Sequence, residues 1–557
     1  MKLNSNLKTL VQVAASVILI ICGFLLPLLH PVIFDYFLIL QPGSIILYFW
    51  KTLRVDLTSN YYFFNWTNPE NFYNASIKPR FKEMGPYEFQ QKEEKANLTW
   101  NSNDTVTFMT RQFWFYQGKR KDSLQDRIVT MNPIPLVVSY IVRNWNYYLR
   151  KSFSMGFSAF ANQFYMTQTV GSLLFDGYPE PWIKVGATLP FLSQYNFPHW
   201  DRYAYFYKRN GTTEYNGVLN MGTGKTTKLG EIYYWNYQKK APHYDDLCGQ
   251  ITGSRQQLFP RNLQKTFLSY FLPDFGRPLK LDFEKIETVN NILGYKFVIG
   301  ERVLDNGTRY PESQCSCNGE CVPSGTFNAT SLSCSLPAFL SLPHFYKADP
   351  YYINLVEGLK PEANKHDSFM IVEPTTGIPL KAHFTLQFNL LVQPVPGVSL
   401  FENAPKFFLP VWWAVYSYEV QGLLLFVVKS LLSLHVILKL TGVCMIVVVT
   451  AVNSSTTKVP LGRSSTSGVW GYRSGLFPSL DGDSIYRKAY QHSTSHISMT
   501  NNRSWTEAES VTTSATSPES IQTCTLCAGD AINLDSSTRN HTSLLPRVLC
   551  YLTSIPF

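Results

Sequence analysis

Charge is scarce in this chain of 557 residues. Asp, Glu, Lys and Arg make up 16%, against about a quarter in ordinary soluble domains. The formal net charge is +10, yet no run of Lys and Arg exceeds three residues, which excludes a nucleic-acid-binding tract. Catalytic motifs are missing too. GTGKTT at 222–227 has Leu219 where a phosphate-binding loop needs its first glycine, and its flanks VLNM and KLGEIYYW read as strands around a hairpin turn. Gly156-Phe157-Ser158-Ala159-Phe160 lacks the closing glycine of a nucleophile elbow. His199, His243, His344, His366 and His383 show neither H-E-x-x-H nor H-x-H spacing, and no carboxylate pair is singled out. Neither an enzyme nor a cofactor is expected.

Aromatic residues, in contrast, reach 15%, which excludes wholesale disorder because so much ring surface must be buried. Two apolar runs flank the chain. Thr9 to Leu29 carries no formal charge and at about 1.5 Å per residue crosses a hydrocarbon core of about 30 Å. It ends in Leu25-Leu26-Pro27-Leu28 rather than the small residues of a cleavage site, so it reads as an uncleaved anchor. The second run is apolar from Gly422 to Val452 but holds Lys429, His435 and Lys439. The cost of a charge at mid-bilayer places the span at about 431–452, with Lys439 snorkelling and 421–430 lying along the interface. A buried soluble helix is the competing reading of this run. Lys2 and Lys8 precede the first span, and Lys458, Arg463 and Arg473 follow the second, which puts both termini in the cytosol. The division is then a cytosolic 1–8, a span 9–29, an extracellular or lumenal 30–430, a span 431–452 and a cytosolic tail 453–557.

The large loop carries seven glycosylation sequons, at Asn65, Asn74, Asn97, Asn103, Asn210, Asn306 and Asn328. Its five cysteines are Cys248, Cys315, Cys317, Cys321 and Cys334. No second C-x2-C or His pair completes a zinc site, so disulfides are expected and no metal. The odd count means that one thiol is unpaired or that the pairing scheme is incomplete. Short β-type stretches (ILYFW, TVTFMTRQFWFYQ, RYAYFYKR, HFTLQFNLLVQPV) alternate with Gly, Pro and Asn. In the last of these, His383, Thr385 and Gln387 alternate with Phe384, Leu386 and Phe388. Residues 135–175 differ: Phe153, Phe157, Phe160 and Phe164 recur on one helical face, either as core or as the mouth of an apolar ligand site. The loop therefore reads as one large antiparallel β domain with a helical insertion. The tail is Ser/Thr-rich, with 34 such residues in 105, and lacks apolar periodicity, so disorder is expected there.

Ordered strings then carry a resemblance. NPENF (68–72), KPRFKEMGPYEF (78–89), WNYQKKAPHYDDLCGQITG (235–253), LPHFYKADP (342–350) and EPTTGIPLKAHFTLQFN (373–389) resemble the class B scavenger receptors, the family of the macrophage fatty-acid translocase and the lysosomal integral membrane protein. The resemblance spans about 9–452 and implies an α+β fold: a large antiparallel β-barrel-like ectodomain with an apical helical bundle and a hydrophobic tunnel. It implies binding of lipids or lipoprotein-like particles, or of microbial or apoptotic surfaces. It also implies the pairs Cys248–Cys315 and Cys317–Cys321, and places GPYEF where the family turns tightly into a strand. Two departures stand out. Gly276 occupies the region of Cys334's family partner, and Ala159 and Ala161 align with apical lysines of some relatives, leaving Arg143, Arg150 and Lys151 as substitutes. The expectation is a plasma-membrane receptor that takes up sterol, carotenoid, fatty acid or lipoprotein. The rivals are a phagocytic receptor and a lysosomal lipid handler. For the last, Leu544-Leu545 lacks the usual upstream acidic residue.

Overall fold

The computed structural model describes residues 5–456, apart from 53–56, 119–120, 159–162, 181–182, 184–187, 189–200, 243, 245–247, 256 and 334. Phe160, Cys334, Ala159, Ala161, His199, His243 and the tail from residue 457 lie outside the described residues.

The apolar runs at the two ends form long helices, α1 (Ser5–Leu28) and, near the other end, α7 (Leu434–Thr456). Stretches of 19 residues in each, Leu10–Leu28 and Leu434–Val452, are long and apolar enough to cross a membrane. They pack on each other where neither has a side chain: a Cβ on Gly442 would lie 2.3 Å from the Gly23 carbonyl oxygen. Only glycine permits that approach. The second run is two helices, not one. Gly422–Leu432 forms a separate α6, broken from α7 at Ser433. On the other side, α1 is followed after Leu29 by α2 (His30–Leu38) and then α3 (Ile45–Lys51). The ILYFW stretch, expected as a strand, is therefore helical. Ser44 caps it by accepting the Leu47 N–H, and Ile46, Phe49 and Trp50 are buried on one face. Three-residue spacing overrides β propensity here.

Between these helices, among the described residues, thirteen strands form one sheet. Its main path runs Phe267–Leu272, Arg277–Val289, Ile292–Val298, Phe369–Val372, Pro379–Val392, Phe407–Glu419, Leu57–Trp66, Phe81–Trp100, Thr105–Tyr116, Leu219–Gly222 and Ile232–Trp235. The pairings along that path are antiparallel. The outer strands are joined through a short connector. Ile232 donates to the Gly253 carbonyl at 2.8 Å and Phe271 to the Ser254 carbonyl at 2.8 Å, so the sheet curls into a nearly closed barrel. Residues 222–227 form the hairpin turn expected of them, with Lys225 and Thr226 bonded to Asp104. RYAYFYKR contributes only Arg202–Tyr203 as strand, paired with Tyr178–Pro179. The GPYEF string does not turn into a strand. It lies inside Phe81–Trp100, where the register shifts opposite Tyr62, and Gly85 at φ +139° lets the backbone pass the Tyr61 carbonyl.

The strand Pro379–Val392 corrects a simple inside–outside alternation. Thr385, Gln387 and Asn389 are as fully buried as the apolar residues between them. The segment 300–368 covers that face, and its polar groups are paired: Asn389 donates to the Phe339 carbonyl at 3.0 Å and Thr385 to the His366 carbonyl at 2.8 Å. The opposite face points into the barrel. Two cystines tie the covering segment down, Cys248–Cys315 and Cys317–Cys321. Gly276 sits in a turn at φ +60° beside Leu332.

Candidate functional site

The barrel's two ends can be assigned from its two central strands. Pro379 and Tyr418 lie at the end facing α2, α3 and α6, while residues 393–406 join the strands at the other end. A 14-residue strand rises on the order of 45 Å, which separates them. At the far end sit α4 (Pro133–Val142) and α5 (Tyr147–Ser158). Ser154 accepts the Ser399 N–H at 2.8 Å and Lys151 pairs with Glu402 at 3.0 Å.

The phenylalanine stripe does not form one continuous surface. Phe157 is buried, and Phe153 lies between Phe157 and Trp145 with centroids 5.8 and 5.6 Å away. Phe164 is outside the described helix. Its carbonyl accepts the Asn132 N–H at 2.8 Å as the chain enters strand Tyr165–Thr169, and its ring stacks on Phe72 at 4.2 Å. Backbone pairing with Arg127–Met131 has overridden the helical period there. The outward face of α5 is instead Tyr148, Leu149 and Met155, 78, 63 and 70% exposed. The three nearby cations are engaged within the chain. Arg143 donates to the Tyr140 carbonyl, Arg150 to the Arg143 carbonyl, and Lys151 pairs with Glu402.

At the opposite end a pocket opens between the barrel and the helices α2, α3 and α6. Leu57, Ala382, Phe384, Tyr416 and Tyr418 form its barrel wall. Because side chains alternate along strands, that wall continues upward through Tyr61, Phe388 and Trp412. There the Tyr61 and Tyr416 hydroxyls are 3.2 Å apart and Phe388 stacks on Trp412 at 5.6 Å. Beside Leu57–Trp66, the neighbouring strand Phe81–Trp100 turns Gln91, Glu93 and Lys95 to the same interior. Lys95 pairs with Glu93, Gln257 donates to Glu93 at 2.9 Å, and the Lys95 ammonium lies 5.7 Å from the Trp50 ring. Burial raises the Glu93 carboxyl, but the Lys95 and Arg255 charges outweigh it and hold it down at about 2. Among the described residues the pocket lining is thus mostly apolar, with Gln257 fixed at one polar corner and the Tyr416 and Tyr418 side chains on the barrel wall.

On the outer face of the same strands lies a polar cluster. Glu83 accepts from Trp413 Nε1 and bonds His344 Nε2, each at 2.7 Å. The His344 and His366 rings stack at 4.5 Å. Their Nδ1 atoms accept backbone N–H groups, from Lys360 and Glu362 respectively. Burial, then the stacked His344, hold the His366 imidazole down at about 4. Its folded value lies below the unfolded one, so its contribution to stability is intact above about pH 6.5 and is lost as pH falls towards 4. Thermal melts at pH 7.5 and 4.5 should differ by about 1–2 kcal/mol more in the wild type than in His366→Phe, after allowance for solvent screening. Equal differences would show that His366 does not titrate during unfolding.

The sequons are placed unevenly. Asn74, Asn97, Asn103 and Asn210 are exposed, and Asn65 and Asn306 are half-buried. Asn328 is 1% exposed and donates to the Cys317 carbonyl at 2.9 Å. Its side-chain nitrogen is a structural donor, and a glycan has no route to solvent there, which corrects that expectation. The basal pocket was missed by sequence reasoning. Its trace was the aromatic alternation in WWAVYSYE before the second apolar run.

Comparisons with known proteins fit this architecture. Residues 10–456 match the CD36 family. The chain is 35% identical over 387 residues to Protein peste of Drosophila melanogaster, covering 67% of this chain and 68% of that one. It is 30% identical over 391 residues to scavenger receptor class B member 1 of Bos taurus, covering 69% and 74%. To human lysosome membrane protein 2 it is 27% identical over 363 residues, covering 64% and 73%. The two terminal helices and these relatives fit a two-pass membrane protein of the scavenger-receptor kind. The chain belongs to the CD36 family.

Proposed function

We propose that the protein captures lipid or lipid-bearing particles at the helical end of its barrel and passes the lipid through the barrel interior to the basal pocket. The ligand would be a sterol, carotenoid, fatty acid or their esters, and the protein would act at the plasma membrane with both termini cytosolic. One observation supports this reading: inward side chains on the central strands run from an apolar pocket beside the terminal helices up to Phe388 and Trp412, where the strand register shifts. Tyr148, Leu149 and Met155 supply the exposed apolar surface for capture, backed by Phe153 and Phe157, with Phe164 packed beneath the same end. Burial of chain carbons contributes about 0.8 kcal/mol per CH2, so a long chain is held without a specific polar contact. The rings of Tyr61, Phe388 and Trp412 lie across the route and must shift as lipid passes.

The test is photo-crosslinking in intact cells with a diazirine-bearing fatty ester. Crosslinked peptides should come from 379–392 and 407–419. Crosslinks confined to the outer surface would sink the conduit, and particle engulfment without lipid crosslinking would favour a phagocytic receptor.

A further inference from the structure

The helices around the pocket mouth present an apolar outer face. Val32, Tyr36 and Phe37 on α2, Tyr48 on α3, and Leu423 and Phe426 on α6 are between 36 and 67% exposed. The same helices supply the rim of the pocket through Phe37, Ile45, Leu424 and Val427. Both chain crossings lead directly into this collar. A single residue, Leu29, separates α1 from α2, and Ser433 alone separates α6 from α7. His30 and His435, at those two breaks, have ring centroids 6.0 Å apart, so both spans end at one level. A 19-residue span rises about 28 Å, close to the thickness of a hydrocarbon core. The collar therefore begins where the acyl chains meet the headgroups.

Its charges suit that depth. Asp35 is paired with Arg261 at 2.6 Å. Lys51 closes α3, and Lys429 stands near the end of α6, each on a stem long enough to reach phosphate. Tyr36 and Tyr48 are of the residue type that concentrates at membrane interfaces.

We infer that α2, α3 and α6 form a collar inserted into the bilayer leaflet on the ectodomain side, its occupant being phospholipid acyl chains. The pocket mouth then opens sideways into hydrocarbon, and lipid leaves the pocket for the leaflet without entering water. This rests on the proposed conduit for the cargo only; the insertion itself rests on the collar and the two spans.

The test places p-benzoylphenylalanine at Phe426 or at Val32 in the full chain, reconstituted in vesicles of radiolabelled phosphatidylcholine. Irradiation should label both variants at least about fivefold more than a variant carrying it at Tyr148, at the far end of the barrel. Val32 and Phe426 are 67 and 66% exposed, so the substitution disturbs no core. Equal labelling at all three positions, or crosslinks from Phe426 to a second copy of the chain, would overturn the collar. Strong lipid labelling at the collar together with failed fatty-ester crosslinking inside the barrel would leave the collar standing and remove the conduit.

Discussion

Cells expressing Ala382→Phe should take up a labelled lipid ester at least about tenfold more slowly than wild-type cells, while binding as many particles. Ala382 is 4% exposed, lines the basal pocket and pairs in register with Tyr418 on one side and Met370 on the other. A phenyl ring there occupies the space between Phe384 and Tyr418 that the lipid must cross. Overpacking costs about 1–3 kcal/mol, which a barrel of this size tolerates, so surface expression and melting temperature serve as controls. Ala382→Val should fall between the two. Parallel loss of particle binding would indicate misfolding, and unchanged uptake would mean that lipid does not travel by this pocket.

The second large effect is on stability. Cys248–Cys315 closes 67 residues of chain, which in the loop-closure account contributes about 4 kcal/mol. That stretch includes the strands Phe267–Leu272, Arg277–Val289 and Ile292–Val298, so the bond ties one edge of the barrel to the segment covering its outer face. Cys248→Ser with Cys315→Ser should lower unfolding stability by about that amount and depress surface expression. Cys317→Ser with Cys321→Ser should cost less, because that loop spans only four residues. Equal effects from the two pairs would contradict a chain-entropy origin.

Much of the architecture was legible because its causes are local. A run of uncharged residues long enough to cross a bilayer marks itself, and so do strands such as Thr105–Tyr116. Errors arose where tertiary contacts decide. ILYFW has strand-forming residues but lies against the barrel base as a capped helix. His383, Thr385 and Gln387 alternate as though half were solvated, yet the segment 300–368 covers Thr385 and Gln387. The phenylalanine stripe lies at the helical end of the molecule, where Phe157 is buried and Phe153 packs between it and Trp145. The basal pocket left only the alternation in WWAVYSYE as a trace, since Leu57, Ala382, Tyr418 and Leu431 meet only after the barrel closes and α6 folds back. The His344–His366 stack was equally hidden, two unremarkable histidines 22 positions apart.

Whether lipid resides inside the barrel, at the end beside the two terminal helices, decides the proposed route. Crystals of the full chain grown in a lipid mesophase with a brominated fatty ester give a direct answer through bromine anomalous scattering. A peak between Phe384 and Tyr418, beneath the Tyr61–Tyr416 pair, is the predicted result. Bromine found only against Tyr148, Leu149 and Met155, with the basal pocket empty, would contradict it.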